Sequence, residues 1–175
     1  MKTKINRKID EILRVNHAGE FGAQMIYQSQ IKFSKNMKLK EELKKISDEE
    51  MVHFKYFDEE IIKNRTRPTV MQPVWRVGGF MLGAISSILG EKYVHACTEA
   101  VETTIVDHYN EQVDFLKKNK IKNNLRLKIQ KFCKEEDNHK MNSKKKVHSK
   151  SPSLIVFGEL TRIATKTAIK ISKKI

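Results

Sequence analysis

The stretch Asp48-Glu49-Glu50-Met51-Val52-His53-Phe54-Lys55-Tyr56-Phe57 decides how this chain is read, and Glu135-Glu136-Asp137-Asn138-His139 repeats its core in the second half. Each places a glutamate three residues before a histidine. In a helix, residues i and i+3 share a face with their Cβ atoms about 5–6 Å apart, so each pair can grip one cation from one side. Glu49 and Glu135 compete with Glu50 and Glu136, but only the latter have the i+3 spacing. Two single glutamates on other predicted helices, Glu20 and Glu102, complete a set of four carboxylates and two imidazoles. That is the ligand inventory of a carboxylate-bridged di-iron centre in a four-helix bundle.

The surrounding periodicity supports helices at each of these places. Ile5, Ile9, Leu13, Glu20, Ala23, Tyr27 and Ile31 fall on one face of a helix predicted over about 5–32. Leu39, Leu43, Ile46, Glu50, His53, Phe57 and Ile61 do the same over 38–63. The pattern breaks at 64–69, and Pro73 suits the start of the next helix. That helix, about 74–89, is apolar, contains Gly78, Gly79 and Gly83, and ends at Gly90, a plausible C-cap. Thr98, Glu102, Ile105, Tyr109, Val113 and Leu116 align over 91–117. Leu125, Ile129, Phe132, Glu136 and His139 align over 123–142. Residues 144–152 read as a basic linker before an amphipathic helix over 153–173. Phe157, Leu160, Ala164, Ala168 and Ile171 form that last helix's apolar face.

Composition agrees. Pro and Gly are scarce among 175 residues, which favours an all-α single domain over 1–175. The net charge of +14 fits nucleic acid, anionic lipid or plain lysine bias, and reports association rather than fold. Cys97 and Cys133 form no metal-type cluster and read as reduced, buried thiols. The N-terminus lacks the apolar core of a secretory signal. The stretch 74–89 would reach only about 24 Å, short of the ~30 Å hydrocarbon core. It therefore reads as buried or interfacial rather than spanning.

Burial is the sharper argument for metal. Leu13 and Tyr27 lie one heptad either side of Glu20, Leu43 and Phe57 either side of Glu50, and His95 and Tyr109 either side of Glu102. A core carboxylate costs several kcal/mol unless a cation or a proton offsets it. Glu99 is an alternative to Glu102 but lies farther from the centre of its stripe. Tyr109, one heptad from Glu102, is the candidate catalytic residue, through a hydrogen bond near the metals or a substrate contact. His17 and His95 read as packing or capping residues. No Gly-rich dinucleotide fingerprint is present.

Asn16-His-Ala-Gly-Glu20-Phe-Gly-Ala23, Gly79-Phe-Met-Leu-Gly83, Gly90-Glu-Lys, Ala96-Cys-Thr-Glu-Ala-Val-Glu102 and His108-Tyr-Asn110 are further motifs. Together they resemble the demethoxyubiquinone hydroxylase family of ubiquinone biosynthesis, over nearly the whole chain. The resemblance implies a ferritin-like bundle with an additional apolar helix and a C-terminal amphipathic helix. It implies metal ligands at Glu20, Glu50, His53, Glu102, Glu136 and His139, with Glu50 and Glu136 bridging two Fe ions per chain. Dioxygen would be the co-substrate and an external reductant would supply electrons. The expected partners are a polyprenylated quinol, a membrane surface and other ubiquinone-biosynthesis proteins, with no nucleic acid. The expected place is the periphery of the cytoplasmic face of a bacterial membrane, or of the mitochondrial inner membrane. The stretch after His139 is more basic than the family pattern suggests. Competing readings are a ferroxidase, a tRNA-modifying di-iron hydroxylase, and a non-catalytic membrane-binding module. The last leaves the inward carboxylates unexplained.

Overall fold

A computed structural model describes residues 3–147 and 151–174. These form six helices and no strand: α1 (Lys4–Phe33), α2 (Met37–Lys63), α3 (Gln72–Leu89), α4 (Glu91–Lys118), α5 (Asn123–Lys146) and α6 (Pro152–Ser172). The all-α, ferritin-like class expected from the sequence holds. The chain divides into two compact units, Met1–Val94 with Lys166–Ile175, and His95–Thr165.

The starts and stops have local causes. The Thr3 hydroxyl accepts from the Asn6 amide at 3.2 Å. The Asn36 side chain accepts from Lys38 and Leu39 at 3.0 and 3.3 Å. Each cap satisfies amides that a helix start leaves without partners. One residue, Gly90, joins α3 to α4. Its φ of +110° is closed to side-chain-bearing residues. Its amide bonds to the carbonyls of Ser86 and Ser87, and its own carbonyl receives the amides of Tyr93 and Val94.

In the first unit α1 is buried on two sides. One side meets α2: Ala23 and Tyr27 pack with Leu39, Leu43 and Val94, edged by Ile31 and Ile46. There Gln24 Nε2 donates to the Ser47 carbonyl at 2.7 Å. The other side, which the apolar stripe does not reveal, meets α3 through small and polar residues. Gly79 and Gly83 lie against the backbone of Gly22 and Ile26. Gln30 Nε2 donates to Ser86 Oγ at 3.0 Å, and Ser87 Oγ donates to the Gln30 carbonyl at 3.0 Å. With the small face inward, the large apolar residues of α3 face out. Val74, Val77, Met81, Ile85, Ile88 and Leu89 are all exposed. No helix among the described residues is long and apolar enough to cross a membrane. The last turn of α6 is tied to this unit: Trp75 Nε1 donates to Ser172 Oγ at 3.1 Å, and Arg14 donates to the Lys173 carbonyl at 3.3 Å.

In the second unit, Ala96, Cys97, Ala100, Val101, Val106, Tyr109 and Leu116 of α4 are buried, as are Leu125, Ile129, Phe132 and Cys133 of α5. Two sequence expectations need correction. α5 continues to Lys146, so Lys144–Lys146 belong to a helix and not to a basic linker. Lysines near a helix C-terminus face its exposed carbonyls favourably, which explains the extension. Residues 148–150 of that linker lie outside the described residues. The buried positions of α6 are Leu154, Thr161 and Ser172, while Leu160 is exposed, as is Ala164. This helix also carries Ile155, Val156 and Ile163 on other faces, so hydropathy alone does not select its seat.

Both cysteines are free and buried. Cys133 Sγ lies 3.8 Å from the Val106 carbonyl oxygen and 3.6 Å from Asn110 Oδ1. Burial pushes its thiol above the usual value of 9.0, and the nearby Asp137 and Glu136 push it further. Since the thiolate is the reactive form, alkylation of the native protein at pH 8 should run well below that of the urea-unfolded chain. The native rate should keep rising with pH past 9.0. Equal rates in the two states would contradict this.

Candidate metal centre

Three of the expected ligands meet within the first unit. α1 presents Glu20, and one turn of α2 presents Glu50 and His53. His53 Nδ1 lies 3.8 Å from Glu20 Oε2 and 3.6 Å from Glu50 Oε2. Each of the three residues offers a ligand atom within 4.8 Å of the others. Glu20 is 2% exposed, and Glu50 and His53 are 1% exposed each. The second unit holds the other three. On α5, His139 Nδ1 lies 3.4 Å from Glu136 Oε2, one turn apart. Glu102 on α4 is buried, and Tyr109 is buried two turns farther along the same helix.

Burial differs between the competing glutamates. Glu49 is exposed where Glu50 is buried, and Glu99 and Glu135 are partly exposed where Glu102 and Glu136 are buried. The side chains are therefore sorted as the helical phase requires. The donor chemistry fits iron. Two carboxylates and one imidazole within bonding reach of a common point make a mixed oxygen–nitrogen site, and imidazole and carboxylate both suit Fe(II). Two buried carboxylates this close repel each other, and a divalent cation removes that cost.

One polar pair went unrecognised in the sequence. His17, read as a packing residue, is 3% exposed, and its Nε2 lies 3.3 Å from Asp58 Oδ1. The partners are far apart in sequence and one of them is half exposed, so no periodicity marks them. His108 contacts Glu111 on its own helix at 3.5 Å.

A helical chain with buried Glu-x-x-His pairs belongs to a recognisable class, the bundles that use carboxylates and histidines for metal chemistry. This chain belongs to the family of the ubiquinone biosynthesis protein COQ7, whose family model matches residues 7–172. It is 39% identical over 176 residues to the NADPH-dependent 3-demethoxyubiquinone 3-hydroxylase, mitochondrial, of Dictyostelium discoideum, covering 99% of this chain and 81% of that protein. The protein of the same name from Bos taurus is 37% identical over 174 residues, covering 98% and 80%. The 3-demethoxyubiquinol 3-hydroxylase of Rhodospirillum rubrum is 36% identical over 171 residues, covering 95% and 78%.

Proposed function

We propose that this protein is a di-iron monooxygenase that hydroxylates the ring of a polyprenylated demethoxyquinol in ubiquinone biosynthesis. The observation that carries the reading is the buried Glu20–Glu50–His53 cluster, in a chain that matches hydroxylases over nearly its full length. The iron ligands in this reading are Glu20, Glu50, His53, Glu102, Glu136 and His139. Bound iron supplies the activation of dioxygen. The chain supplies a dry, mostly negative ligand shell, which favours bound cations and keeps water from the reacting atoms. Tyr109, buried two turns from Glu102, would hold a hydrogen bond beside that ligand. The two electrons come from outside the chain. The relatives named NADPH-dependent make a nicotinamide the reductant of choice.

The substrate's isoprenoid tail requires access to a bilayer. α3 supports that access, because it turns glycine and serine toward α1 and large apolar residues outward. An in-plane helix of this kind binds the boundary between headgroups and acyl chains. The eukaryotic relatives are named mitochondrial. The reading here is peripheral attachment to a membrane. Replacing Val77, Met81 and Ile85 with serine should weaken binding to phospholipid vesicles and activity on long-tailed quinol, and should spare a short soluble analogue. Equal loss on both substrates would show that this face serves only the fold.

The test of the chemistry is isotopic. Iron-loaded protein given demethoxyquinol, a reductant and labelled dioxygen should place one labelled atom on the quinone ring. Tyr109→Phe should keep its iron and slow turnover by ~10–100-fold. Label found only in water or peroxide would reject the hydroxylase reading.

A further inference from the structure

His17 has a geometry that packing does not explain. It is buried, and its Nε2 faces Asp58 Oδ1 at 3.3 Å, a carboxylate whose side chain is 52% exposed. Its Nδ1 is also buried, and it has no hydrogen-bond partner among the described residues. An apolar residue would fill this place without leaving an acceptor unsatisfied inside the protein. The ring lies against Phe54 with centroids 5.0 Å apart, and Phe21 meets Phe54 at 6.1 Å. Arg76 of α3 stands 5.6 Å over the Phe21 ring. His17 precedes Glu20 by three residues on α1, so their Cβ atoms are about 5–6 Å apart. The result is a buried imidazole with an unsatisfied Nδ1, faced at Nε2 by a carboxylate, lying against the Phe54 ring and one turn from an expected iron ligand.

We propose that His17, held by Asp58, is the general base that takes the phenolic proton of the quinol at Nδ1. The inference rests on the hydroxylase reading above. In this step the quinol O–H bond breaks and an Nδ1–H bond forms. The electron pair stays on the phenolic oxygen and enriches the ring carbon that is to be hydroxylated. Asp58 accepts from Nε2–H and stabilises the imidazolium, the role a carboxylate plays behind a catalytic histidine. The insertion itself uses one dioxygen, two electrons from the nicotinamide and two protons, and the second oxygen atom leaves as water. The proton on Nδ1 returns to the product's phenolic oxygen, which closes the balance.

The electrostatics suit that role. Desolvation by burial holds the imidazole below 6.5, and Asp58 opposes it through charge and hydrogen bonding. The base is thus neutral at rest and supported once charged. Asp58 of α2 is the charged group that faces the ring, and on α1 the charged residues one turn either way are Arg14 and Glu20.

The test uses the full chain. In iron-loaded protein, His17→Gln should lower kcat/KM by about 100-fold while iron content stays at the wild-type level. The loss should shrink for quinols whose ring substituents make the hydroxyl more acidic. Asp58→Asn lies at the surface and tests the same claim without disturbing the core. Without the carboxylate the imidazole is a weaker base, so the acid limb of kcat/KM should move to lower pH. Unchanged rates with full iron would overturn the proposal. So would a loss that ignores quinol acidity and tracks iron content, because that describes a support for Glu20. Wild-type protein that loads iron and consumes oxygen without hydroxylating any quinol would reject the hydroxylase reading and the base together. An active wild type matched by His17→Gln would reject the base alone.

Discussion

Glu50→Ala protein should purify helical but without iron, and it should hydroxylate nothing. Glu50 is 1% exposed and sits within reach of both Glu20 and His53. Its removal takes away a ligand, and no neighbour replaces it, because Glu49 is exposed on another face of α2. His139→Ala should do the same from α5. Glu49→Ala is the control and should keep its iron. The metal-free proteins should behave in the opposite sense. A buried carboxylate without a cation carries a desolvation penalty, and Glu50→Ala removes it. Metal-free Glu50→Ala should therefore melt at or above the metal-free wild type, while the iron-dependent rise in melting temperature disappears. Iron analysis and thermal melts with and without Fe(II) decide it. Full iron occupancy in Glu50→Ala/His139→Ala would remove these residues from the site. A large loss of stability in the metal-free single variant would show that Glu50 supports the fold instead.

Much of this architecture was legible because α2 and α5 bury one stripe each, and the candidate ligands of those helices lie on the stripes. Leu39, Leu43, Glu50, His53, Phe57 and Ile61 are all buried on α2, at the phase read from the sequence. On α5 the same holds for Leu125, Ile129, Phe132, Glu136 and His139. The charged candidates could be included because the stripe continued on both sides of them. What escaped was burial achieved by polar or small residues. Ser29, Gln30 and Ser86 are 0% exposed on the α1–α3 contact, yet a hydropathy pattern assigns serine and glutamine to solvent. Gln30 and Ser86 bond to each other across two helices, and no window on either segment contains both partners, while Ser29 bonds back to the Ile26 carbonyl of its own helix. α6 shows the converse. It has apolar residues on several faces, so Leu160 was placed inward while Leu154 and Thr161 take the buried positions. Likewise His17 and Asp58 are a pair only because α1 lies against α2.

Gly83→Ala should destabilise the protein by ~3 kcal/mol, a large effect for a single methyl group. A Cβ at Gly83 would overlap Ser29 Oγ and the Ile26 backbone carbonyl oxygen. The serine can turn away, but the carbonyl belongs to the ladder of α1 and cannot. Relief therefore requires α3 to move off α1, and that motion breaks the Gln30–Ser86 and Ser87–Gln30 hydrogen bonds. At about 2–4 °C per kcal/mol for a chain of this size, the melting temperature should fall roughly 6–12 °C. Gly78→Ala is the matched control on the same helix. A Cβ there meets nothing within 4 Å, and alanine in a helix is favoured over glycine by about 0.5–1 kcal/mol. The two substitutions, five residues apart and chemically identical, should shift the melting temperature in opposite directions. Equal shifts would mean that α3 is not seated on α1 through its glycines. The outward set of Val77, Met81 and Ile85 would then lose its structural cause, because large residues face out of α3 only where small ones must face in. Vesicle binding by Gly83→Ala extends the test to function: a helix lifted from α1 keeps its apolar residues but no longer holds them at a fixed angle to the rest of the first unit.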